Sequence, residues 1–213
     1  MAKKKDWREG EMILTFGLEK IDTYYTESMN EWLDVSNPQF DDWEQGSFER
    51  LMSKTNKIAT WSEEDLKMKF ISPVLELGKI MEGKHFTSFF DKKLEGKVGD
   101  YNLSVKADFV IAKGLLDYME KPYFHFQEYK PNKNPAGDSM AQLLEAFLIA
   151  QVKNNDQKPI YGCEVIGANW KFIVMEAKKY CVSKSFDSTD EEDLLKIIAI
   201  LRKFKDILEN KLL

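Results

Sequence analysis

Two short runs of β-branched and aromatic residues constrain this chain most: SVKADFVIA at 104–112 and YFHFQEYK at 123–130. Such residues favour strands, and the Gly114 and Pro122 of the connection between them are expected to end one run and hold off the other. Strand side chains alternate, so Glu128 and Lys130 must leave one face together. Paired as an antiparallel hairpin, the runs are expected to bring Asp108 to that face, giving two carboxylates and one ammonium in a small patch. Close carboxylates repel, and a single ammonium offsets only part of the repulsion. A divalent cation resolves the conflict, because Mg2+ (or Mn2+) is held by one or two carboxylates with waters and phosphate oxygens. A lysine beside such an ion can position or polarise the attacking water. The plainer alternative is a structural ion pair on a solvated strand face.

Ala107-Asp108, followed about twenty residues later by Glu128-Tyr129-Lys130, resembles the split active site of the PD-(D/E)XK nucleases, an Asp on one strand and Glu-x-Lys on the next. The proline of the family's name is replaced by Ala107. The stretch SEEDLKMKFISPVL at 62–75 resembles the N-terminal helix of such domains in type I restriction subunits, where an acidic residue precedes an Ile, Pro and Leu pattern. Glu63 matches that acidic position, with Glu64 its near neighbour. The resemblance implies an α/β (α+β) fold of restriction-endonuclease type, a central mixed sheet flanked by helices. It implies a Mg2+- or Mn2+-dependent nuclease in which Asp108, Glu128, Glu63 and the Tyr129 carbonyl are the metal ligands and Lys130 orients the water. Gln142 is the candidate for a residue near the scissile phosphate, although the aromatic that should follow four residues later is Ala146. Both Thr60-x-x-Glu63 and Ser139-x-x-Gln142 also read as capping boxes, which need no catalysis. Nucleic acid, DNA in the first instance, is the implied substrate, within a restriction or defence complex. The alternative is a nuclease-fold protein without catalysis, acting as an interaction or regulatory module.

The 213 residues suit one core with an appended piece, read here as a helical N-terminal extension at 1–60 packed on a nuclease-like domain at 61–213. With 43% hydrophobic and 31% charged residues the composition is that of a folded chain, and no run approaches the length of a membrane span. The first residues lack a signal-peptide core, so a cytoplasmic location is expected. Cys163 and Cys181 are too few for a zinc or disulfide framework and read as buried thiols. A net charge of -5 argues against a broad DNA-coating surface. Local basicity is expected around Lys106, Lys113, Lys130 and Lys133, or a protein partner supplies target recognition.

Along the rest of the chain, a helix is expected over the apolar positions from Met12 to Tyr25 and another around Phe48 and Leu51. The helix that opens at Thr60 should kink at Pro73. A strand at 85–94 leads through a turn at 96–100 into the Asp108 strand, and His125 should lie on the face opposite Glu128. A loop at 131–137 precedes a buried helix at 143–152, then two strands at 160–167 and 170–176 and an edge strand near Tyr180. A long amphipathic helix, capped at Ser188 or Thr189, closes the chain; core packing is its first reading and a homodimer or partner contact its second.

Overall fold

The computed structural model describes residues 6–132 and 137–213. In chain order these form α1 (Glu9–Phe16), β1 (Glu19–Ile21), α2 (Glu27–Leu33), α3 (Asp42–Met52), a 3-10 turn (Thr55–Thr60), α4 (Glu63–Leu66), a π turn (Lys67–Ile71), α5 (Ser72–Leu77), β2 (Thr87–Val98), β3 (Tyr101–Leu115), β4 (Tyr118–Lys130), α6 (Ser139–Asn154), β5 (Ile160–Ile166), β6 (Asn169–Glu176), β7 (Lys179–Val182), β8 (Phe186–Asp187) and α7 (Glu191–Ile207), whose last turn (Leu208–Leu212) is again π. The strands make one mixed sheet in the order β1-β7-β6-β5-β4-β3-β2, with β8 also on β6. β2, β3 and β4 are an antiparallel meander; α6 then crosses over so that β5 lies parallel to β4. The architecture is α+β, a central mixed sheet covered by helices, as expected from the sequence.

Each sheet face has its own core. On one, α6 and α1 cover Val105, Val110, Phe126 and Met175 with Leu144, Phe147 and Met12. On the other, α2 to α5 and α7 cover Phe109, Tyr161 and Phe172 with Trp32, Phe70 and Phe204. α6 is apolar almost all round because it is buried almost all round, from Met140 to Ala150 with only Gln142 partly exposed. Its seat on β5 depends on Gly162: a Cβ there would meet the Phe147 ring at 2.4 Å and the Phe126 carbonyl at 2.9 Å. α7 buries Leu194, Ile197, Leu201 and Phe204 in the second core, so its apolar stripe packs inside the chain rather than against a partner.

Several local expectations change. The hairpin has no ten-residue connection; Gly114 pairs with Met119 inside it, and only Leu116 and Asp117 make the turn. Pro122 is tolerated because it falls at a register shift, where no ladder bond from its nitrogen is needed. β2 likewise runs on through Gly96 to Val98. The N-terminal sixty residues are not wholly helical: α1 ends at Gly17 in the left-handed conformation, and β1 adds a parallel strand to β7, which is therefore not an edge. The same residues put Met29, Trp32, Phe48 and Ile58 into the second core. The break attributed to Pro73 appears one turn earlier as the π turn, since Pro73 cannot donate to a preceding carbonyl and Ser72 reaches back five residues to Lys67 instead. The helix caps are Ser62, Asp138 and Asp190, each accepting from the backbone three residues on, in place of Thr60, Ser139 and Ser188 or Thr189.

Cys163 and Cys181 are free and buried. Among the described residues no helix is long and apolar enough to cross a membrane.

Candidate active site

β3 and β4 pair from their turn as far as Phe109 with Gln127, and no further. On its other edge β3 continues beside β2, where the register passes from Phe90 opposite Phe109 to Lys92 opposite Ala107. Between these pairs stand Asp91, with φ 54°, and Asp108. The alternation changes phase at this point: Val105 and Ala107 lie in the α6 core, Phe109 and Ile111 in the opposite one. Asp108 is thereby freed from strict alternation and enters the gap that opens between β3 and β4. Its Oδ2 accepts the Tyr129 N–H at 2.8 Å, a bond that the β3 backbone no longer supplies.

The second group reaches the same gap from the helical side. Ser62 caps α4, which sets Glu63 at its first position, and Lys67 follows one turn later. The Lys67 ammonium donates to Glu63 Oε1 at 2.8 Å and to Asp108 Oδ1 at 2.6 Å, bridging the two carboxylates. It also lies 6.0 Å from the centre of the Tyr129 ring. Both carboxylates draw its pKa upward against the opposing effect of burial.

Glu128 and Lys130 come from the other side. Gln127 and Tyr129 turn toward the core holding Trp32, so Glu128 and Lys130 turn toward α6. The two are bonded at 2.7 Å and are almost wholly buried. The expectation that Asp108 shares their face is therefore corrected: Asp108 sits in the slit between the strands, with Glu63 on one side and Glu128 on the other. The three are still close enough to interact. Burial first, then the charges of Asp108 and Glu63, push the Glu128 pKa up to about 7, against the lowering effect of Lys130. The Tyr129 N–H points at Asp108, which places its carbonyl on the same edge of the extended strand, as the proposed ligand role requires.

The remaining candidates separate. Gln142 stands in the first turn of α6, and its buried Oε1 has no hydrogen-bond partner among the described residues. His125 lies opposite Glu128, as expected, packed against Trp32 and Phe204. The described lysines of the predicted basic patch do not cluster. Lys106 is paired with Asp91 on the surface, Lys130 is buried on Glu128, and Lys113 lies seven residues further along β3, roughly 23 Å away. Lys133 lies outside the described residues.

Sequence reasoning missed Lys67, although Glu63-x-x-x-Lys67 is a recognisable ion-pair spacing on a helix. It also missed Glu164, the register partner of Glu128 on β5, which accepts from the Ser139 hydroxyl and faces Lys171 at 3.6 Å. A lone carboxylate inside the apolar run 160–166 was the available signal.

Among the described residues no three Asp, Glu, His or Cys side chains converge closely enough to hold a metal unaided. The reason is visible: Lys67 and Lys130 stand among the carboxylates. The donor set still fits a cation, because Glu63 and Asp108 already direct one oxygen each at a single positive atom. Two carboxylates suffice for Mg2+ when waters and phosphate oxygens complete the shell. Compared with known families and curated proteins, the chain matches no family model and no curated protein.

Proposed function

We propose that the chain is a nuclease of restriction-endonuclease type, hydrolysing phosphodiester bonds of nucleic acid with Mg2+ or Mn2+. One observation supports this reading: the pair Asp108 and Glu63 and the pair Glu128 and Lys130, from three separate elements, flank the point where β3 and β4 part and interact electrostatically. An ion there would be held by Asp108 with Glu63 or Glu128 and the Tyr129 carbonyl. Bound, it would polarise a phosphoryl oxygen and lower the pKa of a water.

The chain's own residues have the remaining tasks. Tyr129 fixes Asp108 through its N–H, so the carboxylate keeps one oxygen free of the backbone. Lys130 is anchored by Glu128 and presents its remaining N–H donors to a phosphate or a water. Burial of Glu128 and Lys130 under α6 keeps bulk water from competing for these bonds. The net charge of -5 and the scatter of Lys106, Lys113 and Lys130 are consistent with target recognition by a partner.

A second reading, an interaction module that keeps the site as an ion network, is favoured by the lysine already paired with each carboxylate. Incubation of the full chain with single- and double-stranded DNA and RNA, with Mn2+ or with chelator, separates the two. Ion-dependent cleavage by the wild type, reduced about a hundredfold or more in Lys130→Ala, is the expected result. No cleavage of any substrate by the wild type would decide for the interaction module.

A further inference from the structure

We propose that Lys67 is the resident cation of this site: its ammonium occupies the position between Glu63 and Asp108 that a divalent ion would take, and it must withdraw for the ion to bind. The proposal rests on the metal-site reading above and adds to it the residue that sets ion affinity and selects among ions.

Three features support it. The Lys67 Nζ contacts both carboxylates at once, 2.8 Å from Glu63 Oε1 and 2.6 Å from Asp108 Oδ1, so a second cation must compete with it for those two oxygens. A lysine on an ordinary surface pair has one acidic partner; Lys69, two residues on, pairs with Asp65 and is half exposed. Lys67 also closes a regular helical turn on Glu63, its N–H bonded to the Glu63 carbonyl, and the π turn begins directly after it, with its own carbonyl accepting from Ser72. Beyond it the Tyr129 ring, 6.0 Å away, offers a face on which a cation can rest. An ammonium is a point charge on a flexible stem, able to swing away; a guanidinium with its fixed fork would not leave two carboxylates so readily.

The consequence is a site whose negative charge is partly offset without metal, so that the carboxylates stay together in the ion-free protein. Ions that bind oxygen weakly cannot displace Lys67, whereas a divalent ion arriving with a phosphate can. The lysine acts through Glu63 and Asp108 and is a positioning residue.

Calorimetric titration of Mn2+ into the full chain, without nucleic acid, tests this. Lys67→Met should bind Mn2+ about tenfold more tightly than wild type or better, since a competing positive charge is gone. Lys67→Arg should bind no more tightly than wild type. Lys69→Met removes equal charge two residues away and should leave affinity unchanged, which separates occupancy of the site from general electrostatics. In chelator, Lys67→Met should melt at a lower temperature than wild type, and Mn2+ should raise its melting point by more. If that variant does not fold in chelator, Mn2+ must restore the fold; failure to do so overturns the proposal. Equal Mn2+ affinity in wild type and Lys67→Met would also overturn it while leaving the metal site intact. Absence of Mn2+ binding in every variant would overturn the metal reading itself, and this proposal with it.

Discussion

Glu128 Oε1 and Lys130 Nζ are 2.7 Å apart on one strand, both turned under α6 and both nearly inaccessible to water. A buried pair of this kind is sensitive to the loss of either partner, because the survivor is left charged in a poor solvent. Glu128 has more than Lys130 to contend with. Asp108 and Glu63 add like charge, and on the neighbouring strand Glu164 faces the same way with Ser139 and Lys171 about it.

These surroundings make stability fall with pH in the ion-free protein. The Glu128 pKa rises from an ordinary 4.5 to about 7, so between those values the folded chain holds a proton that the unfolded chain has lost. Folding is favoured below that window, weakens as pH rises through it, and stays at the lower level above it. Urea unfolding in chelator should show wild type losing stability relative to Glu128→Gln between pH 5 and pH 8, on the order of 2 kcal/mol. A constant difference would mean that Lys130 compensates the charge completely.

The opposite dependence is expected from His125. Tyr129 donates its hydroxyl to Gln127 Oε1 at 2.6 Å, so the Gln127 amide nitrogen faces His125 Nε2 at 2.9 Å. That nitrogen must accept, and the imidazole proton therefore sits on Nδ1, which finds no partner among the described residues. Complete burial pushes the pKa from 6.5 down to about 3. Between these values the unfolded chain takes up a proton that the folded chain refuses, so stability declines as pH falls through the window. The contribution is about 2 kcal/mol by pH 5. His125→Phe, which suits the aromatic surroundings of Trp32, Phe109 and Phe204, should remove this slope in urea unfolding at pH 5 to 7. Persistence of the full slope would move it to another group.

The residues that periodicity could reach were those with a pattern of their own. The strand run holding Asp108, the Glu-x-Lys strand and the β5 and β6 hairpin carry runs of β-branched and aromatic residues, the stripe of α7 carries helical spacing, and each formed. The three residues of β1 carry none, since Ile21 alone is buried there and the strand exists because Lys179 to Cys181 lie beside it. The same limit applied at the site. Asp108, Glu128 and Lys130 were legible as types at a spacing, but the phase change at Asp108 depends on Asp91 across the ladder, which no local pattern records. Lys67 was legible as a partner of Glu63; that it also reaches Asp108, forty-one residues on, is a fact of tertiary packing.

Arg202 on α7 joins that packing to the N-terminal region. Its Nε donates to the Leu77 carbonyl at 2.9 Å, its Nη1 to the Gln39 carbonyl at 3.0 Å, and its Nη2 to Glu44 Oε1 at 2.9 Å. One planar fork thus fixes the end of α5, the entry to α3, and α7 relative to one another. Glu44 is buried; besides Arg202 it pairs with Lys79 at 2.8 Å, whose own side chain is half exposed, and accepts the Asp41 N–H at 3.1 Å. Arg202→Met leaves that carboxylate short of charge and two carbonyls without a donor, and should cost about 3 kcal/mol in urea unfolding. Arg202→Lys should recover only part of it, because an ammonium cannot reach three acceptors in fixed directions. Mn2+ affinity should not change in either variant, since α5 carries no residue of the site. A coupled fall in affinity would instead mean that the helix from Glu63 to Leu77 moves as one rigid piece, with Arg202 holding Glu63 in place from its far end.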